Sequence, residues 1–94
     1  MAADGTGLDA RLLSIHIGEI ASFVALVDHD GFTAAARATN LSQPAFSARI
    51  RRLERALDAT LVDRSVKRLT ITREGRAFDP LARSLLDQLA SREV

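Results

Sequence analysis

Apolar residues recur at helical spacing along most of this chain, and the clearest run is Phe46 to Leu57. At about 100° per residue, Ile50, Leu53 and Leu57 fall within about 40° of Phe46, which makes one narrow oily stripe. Ser42 stands where a helix cap is expected. Pro44 falls in the first turn, where a missing N–H costs nothing. The pattern therefore predicts a helix over 42–57. Upstream, Ile17, Ile20, Phe23, Val24 and Val27 predict a first helix over 17–29, ended by Asp28-His29-Asp30-Gly31, with Gly31 free to take a positive φ. Thr33 is expected to cap and open a second helix through Ala34, Ala35 and Ala36, worth about 1 kcal/mol. Phe32 packs beneath it as a staple. Thr39-Asn40-Leu41 makes the turn between the second and third helices.

Beyond Leu57 the period changes. Asp58-Ala59-Thr60 reads as a connection, with Asp58 able to tolerate left-handed geometry. Leu61–Arg64 and Leu69–Thr72 are short strand-like runs around 65–68, a two-stranded wing with a basic tip. Thr72 then caps a last helix, with Glu74 in its first turn. Phe78, Ala82, Leu85 and Leu89 follow the steps of a coiled-coil seam, and Leu81 and Leu86 broaden it. Such a face either covers its own domain or pairs with a second copy; the seam spacing favours a homodimer. Pro80 inside this helix is expected to remove a backbone hydrogen bond and bend it. The fold class is thus mainly α: a winged helix-turn-helix with a three-helix core and a two-stranded β wing, followed by a long C-terminal linker or dimerisation helix. The divisions expected are a partly mobile extension over 1–16, the winged domain over 17–72 and the linker helix over 73–94.

Composition narrows the function classes. The chain has 94 residues, 47% apolar and 27% charged, as in a soluble single domain. It contains no cysteine, so neither disulfides nor cysteine metal sites are possible. No apolar run approaches the ~18–20 residues a membrane span needs. The N-terminus does not read as a secretion signal, and the cytoplasm is the expected location. His16 and His29 lack a third ligand at metal spacing and read as surface residues. No nucleophile and base are paired, so no catalytic residue, metal or cofactor is expected. Net charge is only +1, but it is unevenly distributed. Residues 1–30 carry net −4, whereas 42–68 carry net +4. That local basic footprint points to a polyanion.

The outward side of the helix over 42–57 carries the candidate chemistry. Its first turns present small or neutral groups (Gln43, Pro44, Ser47 and Ala48), and Arg51, Arg52 and Arg55 follow. Small residues let a backbone approach base edges, Gln43 can pair with a base, and arginines hold phosphates. The free N–H groups at the helix start attract phosphate as well. The Thr33 hydroxyl could also reach a phosphate. Arg64, Lys67 and Arg68 on the wing are candidates for phosphate or minor-groove contacts. Two bland alternatives are a surface helix with solvated arginines and a solvated hairpin, the latter applying most strongly to Lys67. The competing class of function is a protein-interaction module that dimerises or binds a partner without touching DNA.

FTAAA at 32–36, SQPAFS at 42–47, I..LE at 50–54, DR at 63–64 and L.IT..G at 69–75 together resemble one family. It is the N-terminal winged helix-turn-helix of the LysR-type transcriptional regulators, and the resemblance spans about Ile17 to Leu89. It implies a sequence-specific double-stranded DNA binder. Gln43, Pro44, Ala45, Ser47 and Ala48 would face bases, and Thr33, Ser42, Arg49, Arg51, Arg52 and Arg64 would lie near the sugar-phosphate backbone. It further implies a dimer, formed through the last helix, that reads an inverted repeat at a promoter. Three positions depart from the family. Asp58 stands where a glycine is usual, Val62 where a phenylalanine is usual, and Ala48 is shorter than in many relatives. Direct readout at Ala48 is therefore limited to a thymine methyl. Complete members add an effector-binding domain after the long helix. A chain ending at Val94 is expected to be an excised DNA-binding fragment, and a small-molecule effector is expected only if that domain exists.

Overall fold

The computed structural model describes residues 15–65 and 68–91. Along them run α1 (Ile17–His29), α2 (Phe32–Ala38), α3 (Gln43–Leu57), β1 (Val62–Asp63), β2 (Thr70–Ile71) and α4 (Arg73–Ser91). The expected winged helix-turn-helix is present, and each boundary has a local cause. Ser42 Oγ accepts from the Ala45 N–H at 3.2 Å, which starts α3. Thr72 Oγ1 accepts from the Gly75 N–H at 3.0 Å, which starts α4. Asn40 takes a left-handed φ of 59° after α2, so the Leu41 N–H reaches the Ala36 carbonyl at 2.9 Å. Asp58 does the same after α3, at φ 54°, where a glycine was the family norm. The extension over 1–16 lies almost wholly outside the described residues.

Two expectations at the start of α2 are corrected. Asp30, not Gly31, carries the left-handed turn, at φ 54°. Gly31 is extended and stands at the cap position, so Thr33 lies inside α2 and does not cap it. Its hydroxyl instead donates to Gln43 Oε1, 3.2 Å away.

The core forms where the oily stripes of the helices meet. Phe46, Ile50 and Leu53 of α3 pack with Phe23 and Leu26 of α1, and all five are fully buried. Each such side chain contributes about 1.5–3 kcal/mol. Ala35 and Ala36 fill the α2 side, and their small size lets α2 lie close to α3. The stripe on α1 is rotated from the expected one: Leu26 is buried and Ile17 is half-exposed. That rotation buries Glu19, whose carboxylate accepts from the His16 N–H at 3.3 Å and faces Arg52 Nε at 3.4 Å.

The wing is antiparallel, with Val62 opposite Ile71 and Asp63 opposite Thr70. Each strand is only two residues long, shorter than the runs read from sequence. Glu54 holds the wing to α3. Its Oε2 accepts from the Leu61 and Val62 N–H groups at 2.8 and 3.2 Å, and its Oε1 pairs with Arg64 Nη1 at 3.1 Å. Val62 is fully buried despite being smaller than the family's phenylalanine.

The apolar face of α4 divides. Phe78 stacks at 5.6 Å on Phe23, Ala82 is fully buried, and Leu86 packs against the same core. Arg83 ties α4 to α1 through Asp28 at 2.6 Å and holds Asp79 at 2.9 Å. Of the residues expected at a dimer seam, Ala82 is thus enclosed by its own domain, and Phe78 and Leu86 are half-buried against it. Leu81, Leu85 and Leu89 remain exposed, at steps of four. The helix continues through Pro80.

Two substitutions test these joints. A Cβ at Gly75 would collide with the Leu61 carbonyl oxygen and with Ile71 Cγ2, one of them backbone. Gly75→Ala is expected to lower unfolding free energy in urea by roughly 1–3 kcal/mol, as overpacking does. Glu54→Ala strips two backbone donors and a guanidinium of their acceptor. It should cost roughly 2–4 kcal/mol in the same assay. An unchanged denaturation midpoint for either variant would contradict the assigned contact.

Candidate nucleic-acid interface

The outward side of α3 opens onto a groove between α2 and the wing. Gln43, Ser47 and Arg51, each four residues from the last, line it together with Thr33 of α2 and Arg64 and Arg68 of the wing. Pro44 and Ala45 are exposed at the helix start, and Ser47 and Ala48 are half-buried. Arg51 is exposed. Neither Ser47 nor Arg51 is enclosed by the fold. In the first turn of α3, Pro44 has no N–H, Ser42 takes the Ala45 N–H and the Phe46 N–H donates to the Ser42 carbonyl, which leaves the Gln43 N–H at that end.

The arginines fall into two groups. Arg51, Arg55 and Arg68 are exposed. Arg49, Arg52 and Arg64 are engaged within the fold. Arg52 faces the buried Glu19 carboxylate, although about half of its own side chain stays in solvent. The Arg49 guanidinium lies against the Gly18 backbone, where a side chain would collide with it. These two sit together at the start of α1, away from the groove. Arg64 departs furthest from expectation. Its Nη1 pairs with Glu54, its plane lies 5.4 Å from the Phe32 ring centre, and its Nη2 is buried without a hydrogen-bond partner. The guanidinium expected at a phosphate or the minor groove links wing, α3 and α2. Lys67 lies outside the described residues.

Phe32 is clamped between that guanidinium and Phe46, whose ring meets it edge-on at 5.9 Å. The staple expected beneath α2 is corrected: Phe32 is the first residue of α2 and packs on α3. Asp63 also borders the groove. The N–H and hydroxyl of Ser65 both donate to its carboxylate, at 2.9 and 2.5 Å. Those bonds hold it below the usual carboxylate range. A carboxylate lowered in the folded state supports folding above its ordinary pKa and loses that support as pH falls through the folded value. The turn at the wing is therefore fully held at neutral pH.

Sequence reasoning missed Glu19 and Glu54 as organising groups. Their signals were present: Glu19 stands three residues after the cap position His16, and Glu54 belongs to the I..LE run. The pairing of Thr33 with Gln43 joins two helices, and no periodicity could have shown it. Among the described residues no cluster of three or more histidine, cysteine or acidic side chains could hold a metal ion, and no helix is long and apolar enough to cross a membrane.

Residues 17–76 match the family model described as bacterial regulatory helix-turn-helix protein, lysR family. The chain is 45% identical over 69 residues to the SDS degradation transcriptional activation protein of a Pseudomonas species, covering 73% of this chain and 22% of that protein. It is 37% identical over 79 residues to the HTH-type transcriptional regulator PtxR of Pseudomonas aeruginosa, covering 84% and 25%. It therefore spans about a quarter of the length of these relatives. Among solved structures, Vibrio fischeri DarR in complex with DNA matches with a TM-score of 0.80 and 37% identity, over 83% of this chain and 27% of that one. The BenM DNA-binding domain in complex with catB site 1 DNA matches with a TM-score of 0.77 and 31% identity, over 82% and 83%. A matching motif register, a matching fold and a family model covering well over half of the residues agree: the chain belongs to the lysR family of bacterial helix-turn-helix transcriptional regulators.

Proposed function

We propose that this chain reads double-stranded DNA as the DNA-binding portion of a transcriptional regulator, with α3 in the major groove and the wing at the adjacent minor groove. The observation that carries this is the row Gln43, Ser47 and Arg51, which faces outward from a helix whose opposite side is fully buried. Gln43 and Ser47 supply hydrogen-bonding groups to base edges. Pro44, Ala45 and Ala48 let the backbone approach, and Ala48 offers only a methyl. Arg51 and Arg68 hold phosphates, and Arg49 and Arg52 flank the duplex from the α1 side while keeping their intramolecular contacts. Thr33 borders the same groove. The family acts as regulators rather than enzymes, and no reaction is proposed.

The partner proposed for α4 is a second copy of the chain. Leu81, Leu85 and Leu89 supply its contact surface, at a spacing suited to helix pairing. Two-fold pairing would present two α3 helices to an inverted-repeat promoter site. A cytoplasmic location belongs to the same proposal, as does a small-molecule effector wherever a further domain accompanies this one.

Gel-shift titration and selection from a random duplex pool test the reading. Gln43→Ala should cost roughly 1–3 kcal/mol on the preferred site and relax base choice at one position. Arg51→Ala should weaken binding to all sequences alike and reduce the salt slope by about one. Equal losses on preferred and random DNA for Gln43→Ala would remove its base-reading role. Absence of salt-sensitive binding by the unmodified chain would favour the protein-interaction module. In sedimentation velocity, Leu85→Glu should shift the chain from dimer to monomer without unfolding it; an unchanged dimer would overturn the assigned surface.

A further inference from the structure

We infer that Thr33 is a positioning residue that decides which base Gln43 selects, favouring guanine or thymine over adenine or cytosine. The inference rests on the DNA-reading role proposed for α3 and adds the direction of one amide to it. Thr33 Oγ1 donates to Gln43 Oε1 at 3.2 Å, from α2 to the first residue of α3. A glutamine amide offers one acceptor oxygen and two donor hydrogens on nitrogen, diverging from one carbon. With the oxygen drawn toward α2, the amine is the end left for a ligand. The groove thus presents a donor.

Thr33 can fix that direction because its own backbone is braced. The preceding residue, Phe32, is held by the Phe46 ring on one side and the Arg64 guanidinium on the other. Arg64 is in turn locked to Glu54. At 3.2 Å and exposed to solvent, the Thr33 contact is longer than a tight hydroxyl bond, so it biases the amide without freezing it. A docking base edge expels the competing water and strengthens the bias.

Base edges in the major groove then sort by what they offer. Guanine presents N7 and O6, and thymine presents O4, all acceptors suited to an amine. Adenine is best bound when one amide supplies both an acceptor and a donor, and cytosine presents a donor that needs the oxygen. Satisfying either means pulling Oε1 away from Thr33 and leaving its hydroxyl to find another partner. The opposite orientation, amine on the hydroxyl and oxygen outward, would select the two bases disfavoured here.

Selection from a random duplex pool, run on the whole chain and on Gln43→Ala, Thr33→Val and Thr33→Ser, tests the inference. The position read by Gln43 is the one whose preference relaxes in Gln43→Ala. The unmodified chain should select guanine or thymine there, and the pool itself distinguishes the two. Thr33→Val keeps the shape and removes the hydroxyl, so adenine should gain and discrimination should fall by roughly threefold to tenfold. Thr33→Ser should restore the original preference. Adenine or cytosine at that position in the unmodified chain overturns the inference. So does a uniform loss in Thr33→Val with preference intact, the signature of a plain phosphate contact. If Gln43→Ala relaxes no position at all, the base-reading role of α3 fails first and the inference falls with it, a result separate from the other two.

Discussion

Phe46, Ile50 and Leu53 lose all contact with solvent against Phe23 and Leu26, and the direction in which α3 faces the outside follows from that burial. A helix has only about 3.6 residues per turn, so fixing one stripe inside fixes every other residue's angle. Gln43, Ser47 and Arg51 are outward because the stripe is inward. Their spacing along the helix is set by the same geometry. Rotating α3 by even one residue would expose part of the stripe and lose several kcal/mol of burial. The reading face is therefore held by apolar packing that it does not itself contribute to.

Around that packed helix, the buried Glu19 carboxylate and the largely buried Glu54 carboxylate do the positioning. Glu19 connects the start of α1 with Arg52, and Glu54 connects the wing backbone and Arg64 with α3. Each holds an arginine against the fold, although about half of the Arg52 side chain stays in solvent. The local positive charge from residue 42 to 68 is thus partly spent on internal ties, and the cations left exposed are fewer than a count suggests. Breaking a buried pair leaves an uncompensated charge, so these ties hold their elements in place even where their net contribution to stability is small. The Arg64 guanidinium shows the consequence most clearly, since it braces Phe32 and through it the residue that contacts Gln43.

Much of this was legible in the residues themselves. The stripe on α3, the Ser42 and Thr72 caps, the left-handed Asp58 and the wing all follow from local rules, because periodicity and capping act over a few neighbours. What was not legible depends on contacts across the fold. The seam read on α4 mixed two faces: Phe78 and Ala82 serve the domain's own core, whereas Leu81, Leu85 and Leu89 do not. A seam pattern cannot tell which helix covers it. Thr33 looked like a cap because its type and place suited one, yet Gly31 occupies that position and the hydroxyl turns to Gln43. The tie of Arg64 to Glu54 was not legible because that acceptor lies ten residues away in sequence.

The claim beneath the whole account is that one side of α3 meets the duplex while its other side stays in the core. Nuclear magnetic resonance titration with duplex DNA at low salt observes this residue by residue. The account predicts that amide shifts concentrate at Thr33, Ser42 to Arg51 and Arg68, with Phe23, Leu26 and the exposed leucines of α4 little changed. Shifts confined to α4, or none on α3 at saturating duplex, would contradict it.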